Sequence, residues 1–295
     1  MPDMRVAIVV ATVGRPEESS HLLDCLVRQS RPPSAIVLSV ESQADLPSNL
    51  PAGTRVVMGP RGLAMQRNRG LELIIDQSDV IVFFDDDYIP TVHAVSATAS
   101  LFRDYSDVVG ATGLVLADGV QTGGLRYQRA LEIVTAFDRR TPFLLNIESD
   151  LRTTYGCTMA FRSAAIGDTR FDENLPLYGW QEDVDFSARL RAKGRIVKTN
   201  ALAGVHRGVT AARSSGVRLG FSQIVNPVYL VRKGTMQPGH AARIMIGNLL
   251  ANHLRAFVPE PWIDRRGRLR GNWMGLKDIA AGNIDPQRVL LAEIR

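Results

Sequence analysis

Residues 80–90 read VIVFFDDDYIP, so five large apolar side chains are followed at once by three aspartates. Such a run predicts a strand buried on both faces, as in the centre of a parallel sheet. Asp85, Asp86 and Asp87 then lie at the C-terminal end of the strand, the edge where open α/β sheets bind ligands. Adjacent carboxylates repel one another unless a cation or hydrogen-bond donors compensate them. The sequence therefore predicts a Mg²⁺ or Mn²⁺ site here, and the competing interpretation is a solvated acidic turn.

The segments before this strand alternate between strand and helix patterns. Apolar runs predict strands, and apolar residues at helical spacing predict helices. In chain order the predictions are strand 6–11, helix 17–29, strand 35–40, strand 54–58, helix 63–76 and strand 80–84. This order indicates an α/β fold, a doubly wound and mostly parallel sheet with helices on both faces. Thr12, Glu41 and Asp85 are then expected together at one edge of the sheet.

The remainder of the chain is less regular. The patterns predict helix 91–103, strand 108–116, strand 157–162, helix 182–193, strand 195–198 and an amphipathic helix over 241–257. Residues 118–153 have mixed polarity and receive no assignment. We expect residues 1–210 to form the α/β domain and residues 211–295 to form a basic, largely helical extension.

The cysteines and the N-terminal apolar run indicate the cellular compartment of the protein. The two cysteines, Cys25 and Cys157, are too far apart in sequence for a metal or disulfide motif, which favours a reducing compartment. The apolar run at 6–11 is too short for a signal sequence or a membrane span. We therefore expect a cytoplasmic protein.

Charge is strongly segregated along the chain. Residues 186–259 carry twelve Lys or Arg and no acidic residue. A segment of this kind predicts contact with polyanions such as diphosphates or an anionic lipid surface. Nucleic acid is excluded as the expected polyanion, because the segment has no zinc-finger, homeodomain or RNP-type signature and its aromatic residues are sparse.

A second acidic site follows at 178–186, which reads YGWQEDVDF. Glu182 and Asp183 open a predicted helix, where the free N–H groups and the helix dipole favour carboxylates. N-capping alone would explain one acid. The additional acids favour a catalytic base aimed at a substrate hydroxyl.

Together these motifs resemble the GT-A glycosyltransferases, specifically family 2, over about residues 4–210. The resemblance rests on their order rather than on any single motif. The matching segments are ATVGR at 11–15, VES at 40–42, RN at 67–68, FDDD at 84–87, GCTMAFR at 156–162, RFDE at 170–173, YGWQEDVDF at 178–186 and VH at 205–206. The resemblance implies a nucleotide-binding half at about 1–115 and an acceptor half at about 116–210.

The resemblance also implies roles for individual residues. Thr12, Arg15, Glu41, Arg67 and Asn68 would line the base and ribose, with Asp85 and Asp86 near the ribose and pyrophosphate. Asp87 would hold the metal together with Asp85, and His206 would be a further metal ligand, a diphosphate contact or a structural residue. Asp183 would be the general base, Glu182 would position the acceptor or the base, and Trp180 would contact the acceptor.

The basic segment offers candidates for binding the diphosphate. Arg207 and Arg213 could belong to a loop that closes over it, and flexible basic surface is the alternative. Two departures from the family pattern leave the nucleotide open among UDP, GDP and dTDP. Glu41 replaces the usual Asp, and Val13 replaces an aromatic residue.

The function implied is transfer of a sugar from a nucleoside-diphosphate sugar to a hydroxyl, with inversion. The acceptor would be a saccharide or lipid-linked saccharide in polysaccharide biosynthesis. The alternatives are a sugar-nucleotidyltransferase, an inactive sugar-nucleotide-binding scaffold and a retaining transferase of the same fold. The C-terminal Arg and Trp residues suggest peripheral contact with the cytoplasmic face of an anionic membrane. A dimer interface or a packed helix would explain the apolar helix face, and packing of the helix is the favoured explanation.

Overall fold

The computed structural model describes residues 3–140, 143–210 and 215–291. The described strands are β1 Val6–Ala11, β2 Ala35–Val40, β3 Thr54–Met58, β4 Val80–Asp85, β5 Tyr88–Pro90, β6 Val108–Asp118, β7 Ile147–Leu151, β8 Thr158–Arg162 and β9 Arg195–His206. The described helices are α1 Pro16–Val27, α2 Leu63–Glu72, α3 Ala94–Asp104, α4 Tyr127–Asp138, α5 Ser163–Ile166, α6 Glu182–Leu190, α7 Gly216–Lys233, α8 Pro238–Arg255 and α9 Arg265–Ala280.

One sheet contains all of these strands, in the order β3-β2-β1-β4-β8-β6-β9-β5, with β7 also paired to β9. Strands β3, β2, β1 and β4 are mutually parallel, as are β6 and β9. Strand β8 runs antiparallel to both β4 and β6 and joins the two parallel groups. The predicted α/β class is confirmed.

The apolar run at 80–84 forms the centre of this sheet. Its side chains are almost completely buried, and β4 lies between β1 and β8. Within the sheet, Ala11 is the register partner of both Asp85 and Ser39. The ends of three parallel strands are therefore level, which places the residues after each strand at one edge.

The second half of the sheet differs in detail from the prediction. The strand expected at 195–198 extends to His206, because its C-terminal part pairs with β5 and β6. The unassigned stretch 118–153 supplies the end of β6, α4 and β7. The pattern of 195–206 does not reveal a long strand because a bulge in its pairing with β6 interrupts the alternation.

The chain divides into two compact units. The first comprises the described residues of Met1–Arg61, Met65–Arg170 and Arg189–Ala212, and it contains the sheet. The second comprises the described residues of Gly62–Ala64, Phe171–Ala188 and Arg213–Arg295. The domain boundary expected at residue 210 stays a prediction.

In the second unit, α7 and α9 cross at glycines. A Cβ at Gly220 would lie 2.0 Å from the backbone oxygen of Arg268, and one at Gly271 would lie 2.0 Å from that of Val217. Only glycine permits so close an approach of two backbones.

A buried polar network joins α8 to both helices of this pair. The Asn252 amide donates to Gln223 Oε1 at 3.0 Å and to Asn272 Oδ1 at 2.9 Å, and Arg265 donates to Asn252 Oδ1 at 3.1 Å. Buried polar groups of this kind are costly unless they are satisfied, so the network favours a single arrangement of the three helices. Among the described residues, no helix is both long and apolar enough to cross a bilayer.

We expect Gly271→Ala to lower the free energy of unfolding by about 1–3 kcal/mol or more, because the methyl group overlaps a backbone oxygen. Gly247→Ala on α8 is the matched control. A Cβ there meets nothing within 4 Å, so the same chemical change should stabilise the helix by roughly 0.5–1 kcal/mol. Denaturant unfolding of both variants tests this, and equal effects of the two substitutions would contradict the close packing of α7 on α9.

Candidate functional site

Each of the three aspartates after β4 has its own partner in the first unit. Arg67 donates to Asp85 Oδ1 at 2.9 Å, and Arg15 donates to Asp86 Oδ1 at 3.0 Å. Asp87 Oδ1 lies 3.4 Å from His206 Nε2. The interpretation as a solvated acidic turn is wrong, since Asp86 and Asp87 are 5% and 2% exposed.

Residues at the end of β1 complete the surroundings of Asp86. Thr12 Oγ1 donates to Asp86 Oδ2 at 2.7 Å. Arg15 also donates to the Val209 carbonyl oxygen at 3.1 Å, and its guanidinium lies 3.9 Å from Asp87 Oδ2. Thr12 and Arg15, both predicted site residues, thus lie together with the aspartates.

Asp85, Asp87 and His206 are arranged as a metal-binding group. One ligand atom from each residue lies within 4.8 Å of the other two. Each carboxylate uses one oxygen for structural hydrogen bonds: Asp85 Oδ1 accepts from Arg67, and Asp87 Oδ2 accepts from the Val209 N–H at 2.7 Å. The other oxygens, Asp85 Oδ2 and Asp87 Oδ1, lie 4.0 and 3.4 Å from His206 Nε2. Two carboxylate oxygens and an imidazole nitrogen suit Mn²⁺, and the residues present fit a divalent cation.

Burial and neighbouring charges shift the pKa values of this cluster. Burial raises the pKa of Asp85, against the opposing charge of Arg67, and burial raises the pKa of Asp86 to about 7, against Arg15. Burial also acts to raise the pKa of Asp87, but the neighbouring His206 outweighs burial and holds this pKa below its usual value. Burial acts to lower the pKa of His206, but the carboxylates of Asp118 and Asp87 raise it far above normal. A metal ion bound at Nε2 would take the place of a proton on this nitrogen.

Asp118 holds the other side of the His206 ring, and the sequence analysis missed it. Its Oδ1 lies 3.1 Å from His206 Nδ1, and its Oδ2 accepts from the Tyr155 hydroxyl at 2.9 Å. A carboxylate beside Nδ1 favours a proton on that nitrogen and leaves Nε2 for the metal. Asp118 of β6 is the register partner of His206 of β9. The sequence signal that could have indicated Asp118 is an acid just after the predicted strand 108–116.

We expect Asp118→Asn to weaken Mn²⁺ binding about 10–100-fold, as removal of a carboxylate behind a ligating histidine commonly does. Tyr155→Phe is the matched control, because it removes one donor to Asp118 but leaves the Asp118–His206 pair. Titration followed by Mn²⁺ electron paramagnetic resonance measures the affinity without requiring activity. Equal affinity in wild type and Asp118→Asn would contradict this role.

Helix α2 delivers further predicted residues to the same edge. Arg67 is 2% exposed and also donates to the Gly156 carbonyl oxygen at 2.8 Å, and Asn68 is buried beside it in sequence. Gln66, which the sequence analysis missed, donates to the carbonyl oxygens of Thr12 and Ser39 at 3.0 and 2.8 Å. It thereby joins the ends of β1 and β2.

Glu41 does not join this cluster in the structure. It is exposed directly after β2, and its proposed contact with the base stays a prediction. Asp45, four residues later, is buried and accepts from the Gly14 N–H at 2.6 Å and the Ser42 N–H at 2.8 Å. Burial acts to raise the pKa of Asp45, but these hydrogen bonds lower it below normal. Asp45 therefore links the loop after β1 to the loop after β2.

Arg207 lies in a well-packed position. It forms an ion pair with Glu18, donates to the Leu125 carbonyl oxygen at 3.1 Å and stacks over Tyr127. These contacts fix the chain directly after His206, and its role at a diphosphate stays a prediction. Arg213, predicted for the same loop, lies outside the described residues.

The predicted residues Trp180, Glu182 and Asp183 lie in the second unit, around the start of α6. The loop before this helix is strained: Leu177 and Gln181 adopt positive φ angles of 59° and 74°. Strain of this kind in residues other than glycine is concentrated at functional sites. The Trp180 carbonyl oxygen accepts from the Asn226 amide of α7 at 2.8 Å, which anchors the loop.

The acids of α6 have different surroundings. Asp185 is fully buried, and Lys233 donates to it at 2.9 Å and to Asp172 at 2.5 Å, so its carboxylate is part of the packing of α6 against α7. Asp183 is partly exposed, and its Oδ1 accepts the Val184 N–H at 2.9 Å. Glu182 is 3% exposed, so Asp183 is the most exposed of the three acids in the first turn of α6.

No protein-family model and no curated protein sequence matches the chain. Its fold is similar to that of solved structures. TarS 1–349 from S. aureus in complex with UDP-GlcNAc has a TM-score of 0.53 at 12% identity, over 97% of this chain and 90% of that one. Mannosyltransferase PcManGT from Pyrobaculum calidifontis, in complex with GDP-Man and Mn²⁺, has a TM-score of 0.51 at 15% identity, over 99% and 80%.

A longer S. aureus TarS structure gives a TM-score of 0.51 at 14% identity, over 88% of this chain. The chain spans 44% of the length of that protein. The likeness therefore covers less than half of the longer TarS chain and most of TarS 1–349 and PcManGT. The GT-A-like glycosyltransferase fold expected from the sequence is confirmed.

Proposed function

We propose that this protein is a metal-assisted glycosyltransferase of family 2 that takes a sugar from a nucleoside-diphosphate sugar. The observation that carries the proposal is the convergence of Asp85, Asp87 and His206 at the C-terminal edge of a parallel sheet. The solved mannosyltransferase with a similar fold contains GDP-Man and Mn²⁺, which supports this assignment. Mg²⁺ remains the alternative cation, since two of the three side chains are carboxylates.

The bound metal would neutralise charge on the departing diphosphate. Asp85, Asp87 and His206 would hold it, and Asp118 would orient the imidazole. Arg15, already close to two of the aspartates, would be placed to donate to a diphosphate oxygen. The first unit would thus bind the metal and the diphosphate of the donor.

The nucleoside would be bound by residues at the ends of β1 and β2. Thr12 and the loop braced by Asp45 lie at this edge, and Arg67 and Asn68 enter from α2. Glu41 would contact the base or ribose from its exposed position. UDP, GDP and dTDP are all candidate nucleotides.

Asp183 would act as the general base. It would accept the proton of the acceptor hydroxyl while that oxygen bonds to the anomeric carbon and the bond from this carbon to the diphosphate oxygen breaks. Attack from the face opposite the leaving group inverts the configuration. Glu182 would position the acceptor or the base, and Trp180 would contact the acceptor saccharide or lipid-linked saccharide.

Release of nucleoside diphosphate from a panel of UDP-, GDP- and dTDP-sugars, with and without Mn²⁺ or Mg²⁺, tests the reaction. We expect metal-dependent release from sugars of one nucleotide class, faster in the presence of acceptor saccharides, with inverted configuration in the product by NMR. A retained configuration would overturn the role of Asp183. Pyrophosphate release from a nucleoside triphosphate and a sugar phosphate would instead identify a nucleotidyltransferase, and binding without turnover would identify a scaffold.

A further inference from the structure

Helix α8 presents an apolar stripe to solvent. Ile246, Leu250, Leu254 and Phe257 are 57%, 55%, 73% and 86% exposed, at spacings of four, four and three residues. Ile246, Leu250 and Leu254 lie on one face of α8, and Phe257 follows just after the helix ends at Arg255. The buried network around Asn252 lies on the other side, where α8 packs against α7 and α9. Packing against α7 and α9 therefore uses the other face of α8 and does not cover the exposed stripe.

A basic face of α9 lies beside this stripe. Trp273, 51% exposed, meets His253 of α8 edge to face with the ring centroids 5.7 Å apart. Arg270 and Lys277 are exposed one turn before and one turn after Trp273. Arg266, one turn earlier, is also exposed and lies within hydrogen-bond distance of the Ala256 carbonyl oxygen at the end of α8. The stripe is thus bordered by three cations and a tryptophan.

The acidic groups close to this surface are ion-paired or cap a helix, as Asp264 does at the start of α9. Glu260 pairs with Arg255 and Arg265, and Asp278 pairs with Arg288. Helices α7 and α8 carry no acidic residue at all. An open cavity of about 480 Å³ adjoins the basic face, with Arg270 and Lys277 at its rim and Phe221 and Met274 among its apolar lining. Asp278 also lines this cavity, where it is paired with Arg288, so the surface combines apolar, aromatic and cationic groups with a neutralised acid.

We propose that the α8–α9 face, defined by Ile246, Leu250, Leu254, Phe257, Arg270 and Lys277, docks on an anionic phospholipid bilayer. An apolar stripe of this length can enter the boundary between headgroups and acyl chains, while Arg and Lys remain among the anionic headgroups. Tryptophan favours the same interfacial depth. A second copy of the chain is the poorer occupant, because two faces of this kind would bring like charges together. The proposal does not depend on the proposed catalytic function.

Sedimentation of the full chain with vesicles tests the proposal. Phosphatidylcholine vesicles with and without phosphatidylglycerol serve as the anionic and neutral surfaces, at low and high salt. The apolar variant is Leu254→Asn/Phe257→Asn, and its matched control is Val27→Asn on α1, which is 63% exposed. The charge variant is Arg270→Gln/Lys277→Gln. Its control is Arg28→Gln/Arg129→Gln, which removes two exposed arginines of the first unit.

We expect the wild type and both controls to bind phosphatidylglycerol vesicles at low salt and to bind neutral vesicles far more weakly. The apolar variant should lose at least tenfold in partitioning, and the charge variant about fivefold for each basic residue removed. Unchanged binding by either variant, or no binding by the wild type, would overturn the proposal. A concentration-dependent dimer that Leu254→Asn/Phe257→Asn abolishes would show that a second copy covers the face instead.

Discussion

Asp87→Ala is expected to reduce kcat/KM about a thousandfold. The substitution removes the most buried carboxylate of the metal-binding group, whose Oδ1 faces His206 and whose Oδ2 holds the Val209 N–H. Charge stabilisation by a bound metal is worth several kcal/mol, and roughly 4 kcal/mol corresponds to three powers of ten in rate. Steady-state release of nucleoside diphosphate from the preferred donor measures this loss.

Two further variants make this result interpretable. Asp87→Asn retains an oxygen that can accept the Val209 N–H, so it should fold normally and still lose most of the activity. Asp104→Ala, at an exposed acid paired with Arg103 on the surface of the first unit, should retain wild-type rates. If Asp87→Asn kept wild-type kcat/KM and wild-type Mn²⁺ affinity, the metal assignment would be refuted.

Asp183→Asn is expected to reduce kcat by roughly 10²–10⁴, the range attributed to a general base. Nucleotide affinity should stay unchanged, because Asp183 belongs to the proposed acceptor chemistry rather than to diphosphate binding. The amide keeps an oxygen that can accept the Val184 N–H, so the start of α6 should be preserved. Single-turnover kinetics together with calorimetric titration of the nucleoside diphosphate separates the two quantities.

Asp285→Asn is the matched control for this change. Asp285 is exposed in the same unit, and it also accepts a backbone N–H, from Gln287 at 2.9 Å. It should retain full activity. A fall in nucleotide affinity equal to the fall in kcat for Asp183→Asn would argue that Asp183 organises the site rather than removing a proton.

The parallel half of the sheet could be predicted because its signals are local. The run at 80–84 is long enough and apolar enough to identify a buried strand without knowledge of its neighbours. Strand β8 is different, since its antiparallel insertion between β4 and β6 depends on pairing across distant segments. The full length of β9 likewise depends on β5 and β6, which the sequence of β9 alone does not encode.

The candidate site shows the same division. The aspartates, Thr12 and Arg15 follow strands, so their meeting at one edge could be predicted from strand order. Asp118 and Asp45 could not, because their roles depend on register and on loop geometry. Asp118 faces His206 across two strands that are far apart in sequence, and Asp45 reaches the backbone of Gly14.

The most direct measurement of the metal-diphosphate site is thermal unfolding of the wild type with UDP, GDP, dTDP or CDP, each with Mn²⁺, with Mg²⁺ and without metal. Ligand at a hundredfold excess over Kd stabilises the native state by about 2.7 kcal/mol. We predict a metal-dependent rise of the unfolding midpoint with one nucleotide, lost in Asp87→Asn and retained in Asp183→Asn. No rise with any combination of nucleotide and metal would contradict the assignment of Asp85, Asp87 and His206.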